Sequence, residues 1–305
     1  MAWLAPPGLE ATVYGEIARP VARRGRLIFG TPQDRPVHFA QNTWCDPRPV
    51  AIQSVKDGAR RLRALQRNWW CHRTGHDRRA RTIASHLPRV RAPAVAFPAA
   101  APTAPLGAWT LVAPDTIVAA PTATAPFPDG EPVFVEDRRP PNRAYLKLWE
   151  ALCLLGTWPG PGERVLDLGA SPGGWTWVAA MLGARVTAVD RAALDPAVAG
   201  LANAEERRGS AFAVDPGAAG PVDWLLADIA CYPERLLDLV RAWLEAGAAR
   251  RLVVTVKFQG TADPALVDAF AALPGAALWH LAHNKHELTL VIPGPAGAPG
   301  PGRCP

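Results

Sequence analysis

The turn Asp167-Leu-Gly169-Ala-Ser171-Pro172-Gly173-Gly174-Trp175 is the stretch of this sequence best suited to hold a small ligand. Its glycines let the chain turn tightly from strand to helix and bring backbone close to a bound group. Asp190 follows 21 residues beyond Gly169, where an acidic side chain at a strand end grips ribose hydroxyls. A dinucleotide needs glycine where Ser171 stands, because its pyrophosphate must approach the backbone. A nucleoside cofactor without phosphate, S-adenosylmethionine, suits the turn better.

Positioning such a turn takes alternating strands and helices, and residues 142–292 supply the pattern. Apolar runs predict strands at 164–168, 185–190, 222–228, 251–257, 276–282 and 287–292. Helical patterns lie near 143–156, after Gly174, and near 233–246 and 263–272. This order predicts an α/β fold with a mostly parallel sheet. Residues 1–91 predict a smaller, basic α+β extension, with a strand at 2–5 and a helix near 10–18. Residues 92–141 predict a Pro/Ala-rich connecting segment with short strands at 109–112 and 133–135, and residues 293–305 a disordered tail.

A hydrophobic content of 49% over 305 residues supports a buried core, and the net charge of +6 favours a polyanionic partner. Cys45, Cys71, Cys153, Cys231 and Cys304 are scattered and odd in number, which predicts the thiols of a reduced cytoplasmic protein rather than a disulfide scaffold. The N-terminus lacks the basic start and apolar core of a signal peptide. Eight prolines between residues 92 and 130 exclude a spanning helix there. No membrane association is expected, and no obligate protein partner is evident.

Five segments stand in the order of a known family: Asn142-Arg-Ala-Tyr-Leu-Lys147-Leu, the Asp167 turn, Asp223-Trp-Leu-Leu-Ala-Asp228, Val253-Val-Thr-Val-Lys257-Phe and His286-Glu287-Leu-Thr-Leu. On them, residues 142–292 resemble the FtsJ family of RNA ribose 2′-O-methyltransferases, and most of all the RlmM-like branch acting on a cytidine of bacterial large-subunit (23S) ribosomal RNA. The resemblance implies a Rossmann-like class I methyltransferase domain. It implies Lys147, Asp228, Lys257 and Glu287 as a catalytic tetrad. It also implies that Gly169, Ser171, Pro172, Gly173, Gly174, Trp175, Asp190, Ser210 and Asp228 hold S-adenosylmethionine. Relatives often carry Asp near the adenine where this chain has Ser210, a weaker hydrogen-bonding partner than a carboxylate. The family's larger, partly THUMP-like N-terminal extension is matched here only by a shortened one.

Composition tests the tetrad independently. Of 33 basic residues only Lys56, Lys147, Lys257 and Lys285 are lysine, yet two of the four fall on tetrad positions. Arginine stays protonated in proteins, whereas a buried lysine can release a proton. The implied chemistry is removal of a 2′-hydroxyl proton by Lys257, or stabilisation by it of the developing alkoxide, with Asp228 orienting it and Lys147 and Glu287 completing the network; which lysine holds the proton at each step is left open. Other methyl acceptors are disfavoured: Asp228-Ile-Ala-Cys231 lacks the Pro-Pro-aromatic run of amine methylation, and Cys231 lacks both a Pro-Cys context and an evident cation. The alternatives are a catalytically silent RNA-binding protein of the same fold and a nicotinamide-dependent oxidoreductase.

Between Lys56 and Arg91 eleven basic residues face only Asp57 and Asp77. Ser54-x-x-Asp57 resembles a capping box, and helical spacing places Lys56, Arg60, Arg63 and Arg67 on one face with Val55, Ala59, Leu62, Leu65 and Trp69 on another. The basic face is the candidate RNA-binding surface, with Trp69 or Trp70 as a stacking candidate. Cys71, His72, His76 and His86 lack metal-site spacing, so no metal is expected.

Overall fold

The computed structural model describes residues 1–294 and Cys304. The chain divides into two compact units, one holding Met1–Ala94 and Ala101–Val133 with Cys304, the other Val95–Ala100 and the chain from Phe134.

The N-terminal unit runs β1 (Ala2–Leu4), α1 (Glu10–Glu16), β2 (Pro20–Arg24), β3 (Leu27–Gly30), β4 (Asn42–Cys45), β5 (Arg48–Ala51), α2 (Val55–Leu65), β6 (Trp69–Cys71), α3 (Asp77–Ser85), β7 (Gly107–Ala113), β8 (Thr116–Ala120) and β9 (Thr122–Ala123). One sheet has the order β2-β3-β1-β4-β9 and the other β5-β8-β7-β6. Strands from the expected connecting segment are thus integral to both sheets, while the expected strand at 133–135 amounts to a single bridge between Phe134 and Val95. The apolar faces of α2 and α3 close over the second sheet around Leu62, Ile83, Trp109 and Ile117.

The capping box starts α2: Asp57 N–H donates to Ser54 Oγ at 3.1 Å, and Asp57 Oδ2 accepts from Gln53 N–H at 3.1 Å. The helix ends sooner than its sequence pattern. Gln66 turns extended, which puts Arg67 beyond the helix, moves Trp69 onto β6 and leaves Leu65 exposed. Cys45 and Cys304 form a disulfide with Cα atoms 5.4 Å apart, correcting the expectation of free thiols throughout; Cys71, Cys153 and Cys231 remain free. Partners 259 residues apart offer no spacing to read. The tail expected to be disordered lies outside the described residues, apart from Pro293, Gly294 and Cys304.

The second unit runs α4 (Tyr145–Leu155), β10 (Arg164–Leu168), α5 (Gly174–Met181), β11 (Arg185–Asp190), α6 (Pro196–Ala199), β12 (Ala204–Arg208), α7 (Pro216–Ala219), β13 (Val222–Ala227), α8 (Pro233–Glu245), β14 (Ala249–Lys257), α9 (Pro264–Ala271), β15 (Ala277–Trp279) and β16 (Glu287–Ile292). Its seven-stranded sheet has the order β12-β11-β10-β13-β14-β16-β15. Strands β10 to β14 pair in parallel, and β16 runs antiparallel to both β14 and β15. Central strands such as Leu252–Val256 are buried on both faces, which explains their unbroken apolar runs. The chain order reverses at β10, so the carboxyl ends of β10, β11 and β13 open the crevice where such sheets bind ligands. Because β16 is antiparallel, its first residue, Glu287, arrives at that same edge, opposite Lys257 in register.

Candidate active site

A cleft of about 650 Å³ opens at this edge, lined among others by Gly169, Ser171, Asp190, Ser210, Asp228 and Lys257. Gly169 has a left-handed φ of +76°, and a Cβ there would lie 2.8 Å from Ile229 Cγ1, so only glycine fits. Asp190 is held by its own backbone surroundings: Oδ2 accepts from Ser171 N–H at 3.0 Å and Oδ1 from Ala192 N–H at 2.8 Å. Each oxygen keeps a lone pair for a ligand hydroxyl. The Ser171 hydroxyl donates to Ala193 O at 2.7 Å, and Ser210 Oγ accepts from Phe212 N–H at 3.3 Å.

Pro172, Gly173, Gly174 and Trp175 do not line the cleft; they build the turn. A side chain on Gly174 would collide with Asn142 Oδ1, and a Cβ on Gly173 would sit 2.9 Å from Val198. Trp175 is buried, donating from Nε1 to Ala144 O at 2.9 Å. Sequence reasoning missed Phe212 and Arg235, which also line the cleft, the guanidinium lying 3.8 Å from the ring centroid. Their signal was slight: an aromatic two residues beyond Ser210, and an arginine in the first turn of α8.

The four tetrad residues come together from three strand ends and a helix. Lys147, in the first turn of α4, reaches Asp228 Oδ2 at 3.0 Å and Glu287 Oε1 at 2.9 Å. Lys257 Nζ lies 2.8 Å from Asp228 Oδ1 and donates to the Asp228 carbonyl at 3.0 Å. The two lysines differ in environment. Burial pushes the Lys147 ammonium towards losing its proton, but the charges of Asp228 and Glu287 outweigh it and raise its pKa above the ordinary lysine value. The Lys147 side chain is 11% exposed; that of Lys257, paired with one carboxylate, is 31% exposed and faces the cleft. Lys147 is therefore a fixed cation, and Lys257 is the lysine of the pair that reaches the cleft.

Cys231 also lines the cleft. Burial raises its thiol pKa despite the downward pull of Lys257 and Arg235, cations that the sequence did not reveal beside it. It is unsuited to act as a thiolate. Asp167, directly beneath the turn, is fully buried; desolvation lifts it to about 7, against the Thr176 hydroxyl that donates to it at 2.6 Å.

In the N-terminal unit the expected basic face is partly neutralised. Arg60 and Arg61 pair with Asp57, and Arg63 donates to His86 O at 2.6 Å. Lys56 and Arg67 are exposed, Arg67 off the helix. Trp69 is core rather than platform: it is 4% exposed and its Nε1 donates to the Leu62 and Gln66 carbonyls at 2.9 Å. A groove of about 1040 Å³ nearby is lined by Trp70, Arg73, Arg81, Arg89 and Arg91. His72 pairs with Asp129 at 3.0 Å, and among the described residues no cluster of three or more His, Cys, Asp or Glu could hold a metal ion. No helix among them is long and apolar enough to cross a membrane.

The sheet order and the cleft at the strand ends define a Rossmann-like α/β domain. Residues 140–270 match the family described as FtsJ-like methyltransferase. Over 172 residues the chain is 40% identical to ribosomal RNA large subunit methyltransferase M of Halorhodospira halophila, covering 54% of this chain and 50% of that protein. The protein of the same name from Methylococcus capsulatus is 39% identical over 141 residues, 45% of this chain and 40% of its own. The chain thus spans about half the length of the curated relatives it matches. The solved fibrillarin of Aeropyrum pernix superposes with a TM-score of 0.37 at 17% identity over 60% of this chain and 81% of its own, a likeness that decides nothing further.

Proposed function

We propose that this protein transfers a methyl group from S-adenosylmethionine to a ribose 2′-hydroxyl of RNA, with 23S ribosomal RNA as the substrate. The observation that carries this reading is the placement of Lys257, locked to Asp228, in the wall of the same cleft that holds Asp190. An acid for ribose hydroxyls and a base for an incoming hydroxyl face one space. The relatives' shared name supports ribosomal RNA as substrate.

The residues present fit the cofactor. Gly169 gives close backbone approach, Asp190 suits the ribose diol, and Ser210 with Phe212 offers a polar and an aromatic wall for the adenine. When bound, S-adenosylmethionine supplies an already activated methyl group. What remains for the chain is positioning and deprotonation. Lys257, having first given a proton to solvent, takes the hydroxyl proton as a neutral amine; Asp228 orients Lys257 from one oxygen and Lys147 from the other; Glu287, the second acid beside Lys147, matches the two lysines with two carboxylates.

For RNA contact, the exposed arginines of the Trp70 groove join Lys56, Arg60, Arg63 and Arg67 of the basic region as candidates. Arg73, Arg89 and Arg91 have no ion pair among the described residues, which leaves them free for phosphates.

The test is methyl transfer from labelled S-adenosylmethionine to unmodified ribosomal RNA, with the product nucleoside identified. A 2′-O-methyl nucleoside is expected. Binding of S-adenosylhomocysteine without any transfer would favour a silent RNA-binding protein, and binding of NAD instead would refute the methyltransferase reading.

A further inference from the structure

The loop 280–286 between β15 and β16 ends at Glu287, the tetrad acid furthest from the cleft, and its anchoring is unusual. Glu150, one turn along α4 from Lys147, is 2% exposed. Its Oε1 accepts from Ala282 N–H at 2.8 Å, and its Oε2 accepts from His283 N–H at 3.1 Å and meets His283 Nδ1 at 2.6 Å. From the other side, Asn284 Nδ2 donates to the Glu287 carbonyl and to Thr289 Oγ1, both at 3.1 Å. His280 Nε2 lies 3.1 Å from the Lys285 carbonyl, closing the loop on itself.

Lys147 and Glu150 are three residues apart on one helix and so share a face. That face makes two attachments to one short stretch of chain: Glu150 to residues 282 and 283, Lys147 to Glu287. Burying a carboxylate is costly unless all its hydrogen bonds are met, so a loop that needed only an anchor could use an apolar side chain. The carboxylate gains direction instead. Its two oxygens fix two consecutive backbone N–H groups and an imidazole, and thereby the distance from α4 to the start of β16.

We infer that Glu150, braced by His283, is a positioning residue for the tetrad: it sets the Glu287 carboxylate against Lys147. This rests on the proposed methyl transfer only for its effect on rate. If Glu287 drifts, Lys147 is left with Asp228 alone and draws that carboxylate away from Lys257. The loop does not line the cofactor cleft, so cofactor affinity is independent of it.

The test has two arms. In Glu150→Gln, amide hydrogen exchange over 281–287 should quicken by about tenfold or more while α8 and β13 keep their protection; unchanged exchange in that segment overturns the brace. Should Glu150→Gln fail to fold, His283→Gln, which spares the two backbone bonds, serves in the same measurement. The second arm is a double-mutant cycle in turnover. Glu150→Gln should lower kcat roughly 10- to 100-fold with S-adenosylhomocysteine affinity unchanged. The double variant Glu150→Gln/Glu287→Gln should be no slower than Glu287→Gln alone, because the first residue acts through the second. Multiplying losses overturn the positioning role. If the unaltered chain transfers no methyl group, the exchange arm still decides the brace, and only the function proposal falls.

Discussion

The two units of this molecule handle charge in opposite ways. In the second unit Lys147, Asp228, Lys257 and Glu287 interlock at 2.8–3.0 Å in a largely buried network. In the N-terminal unit arginines stand exposed around a groove, and Arg81 of its wall lies 3.8 Å from Asp77. Buried charges hold one another in place and set each other's protonation, so identity matters to the atom. Exposed charges act as a field, and mainly their number matters.

The sharpest way to break that comparison is to change identity while keeping charge. Lys257→Arg retains a cation beside Asp228 but cannot give up a proton, so kcat should fall by about 10²–10⁴-fold with S-adenosylhomocysteine binding intact. Lys147→Arg should cost less, since Lys147 is a fixed cation between two acids. Single-turnover rates check both. Near-normal turnover in Lys257→Arg would remove it as the base.

In the exposed region the expected effect is smaller and depends on salt. Replacing Arg73, Arg89 and Arg91 with Gln should weaken RNA binding irrespective of sequence and flatten the log–log salt slope by about 0.7 per lost single-strand contact. Replacing Lys56, Arg60, Arg63 and Arg67 should do less per residue, because Arg60 is already paired with Asp57 and Arg63 with a carbonyl. Equal slope changes per charge in the two variants would erase the distinction between groove and helix. A control neutralising Arg185, Arg241, Arg250 and Arg251 should leave the slope nearly unchanged.

The same contrast explains what could be read from sequence. The second unit was legible because parallel strands buried on both faces appear as plain apolar runs, and strand ends carry the polar residues. Its strand β12 was not: Ala204-Glu-Glu-Arg-Arg208 lies at the sheet edge, where charges replace the apolar pattern. Of the four clustered residues, Lys147 and Lys257 stood out by residue type in a chain with only four lysines, while Asp228 and Glu287 were expected from the family resemblance. The Glu150 brace was invisible, because a buried acid on a helix and a loop 132 residues later meet only in three dimensions. The basic helix misled where spacing was extended past Leu65: periodicity places a residue on a face only while the helix lasts.

Asp167 extends the lesson to a single buried charge, with a smaller expected effect. Its folded pKa of about 7 stands well above the roughly 3.9 of an unfolded Asp. The native state therefore binds the extra proton between those values. The stability this proton contributes is fully present below about pH 3.9 and is lost as pH rises through 7, where the folded chain must bury an ionised carboxylate. Asp167→Asn keeps an acceptor for the Thr176 hydroxyl but cannot ionise. Its Tm relative to the parent should rise from pH 5 towards pH 7 and level off above it, on the order of 2–4 °C for each kcal/mol relieved. Thermal melts of both proteins across that range check it. A constant difference would mean that Asp167 is already ionised at pH 5, and that the backbone and Thr176 around it carry the charge without penalty.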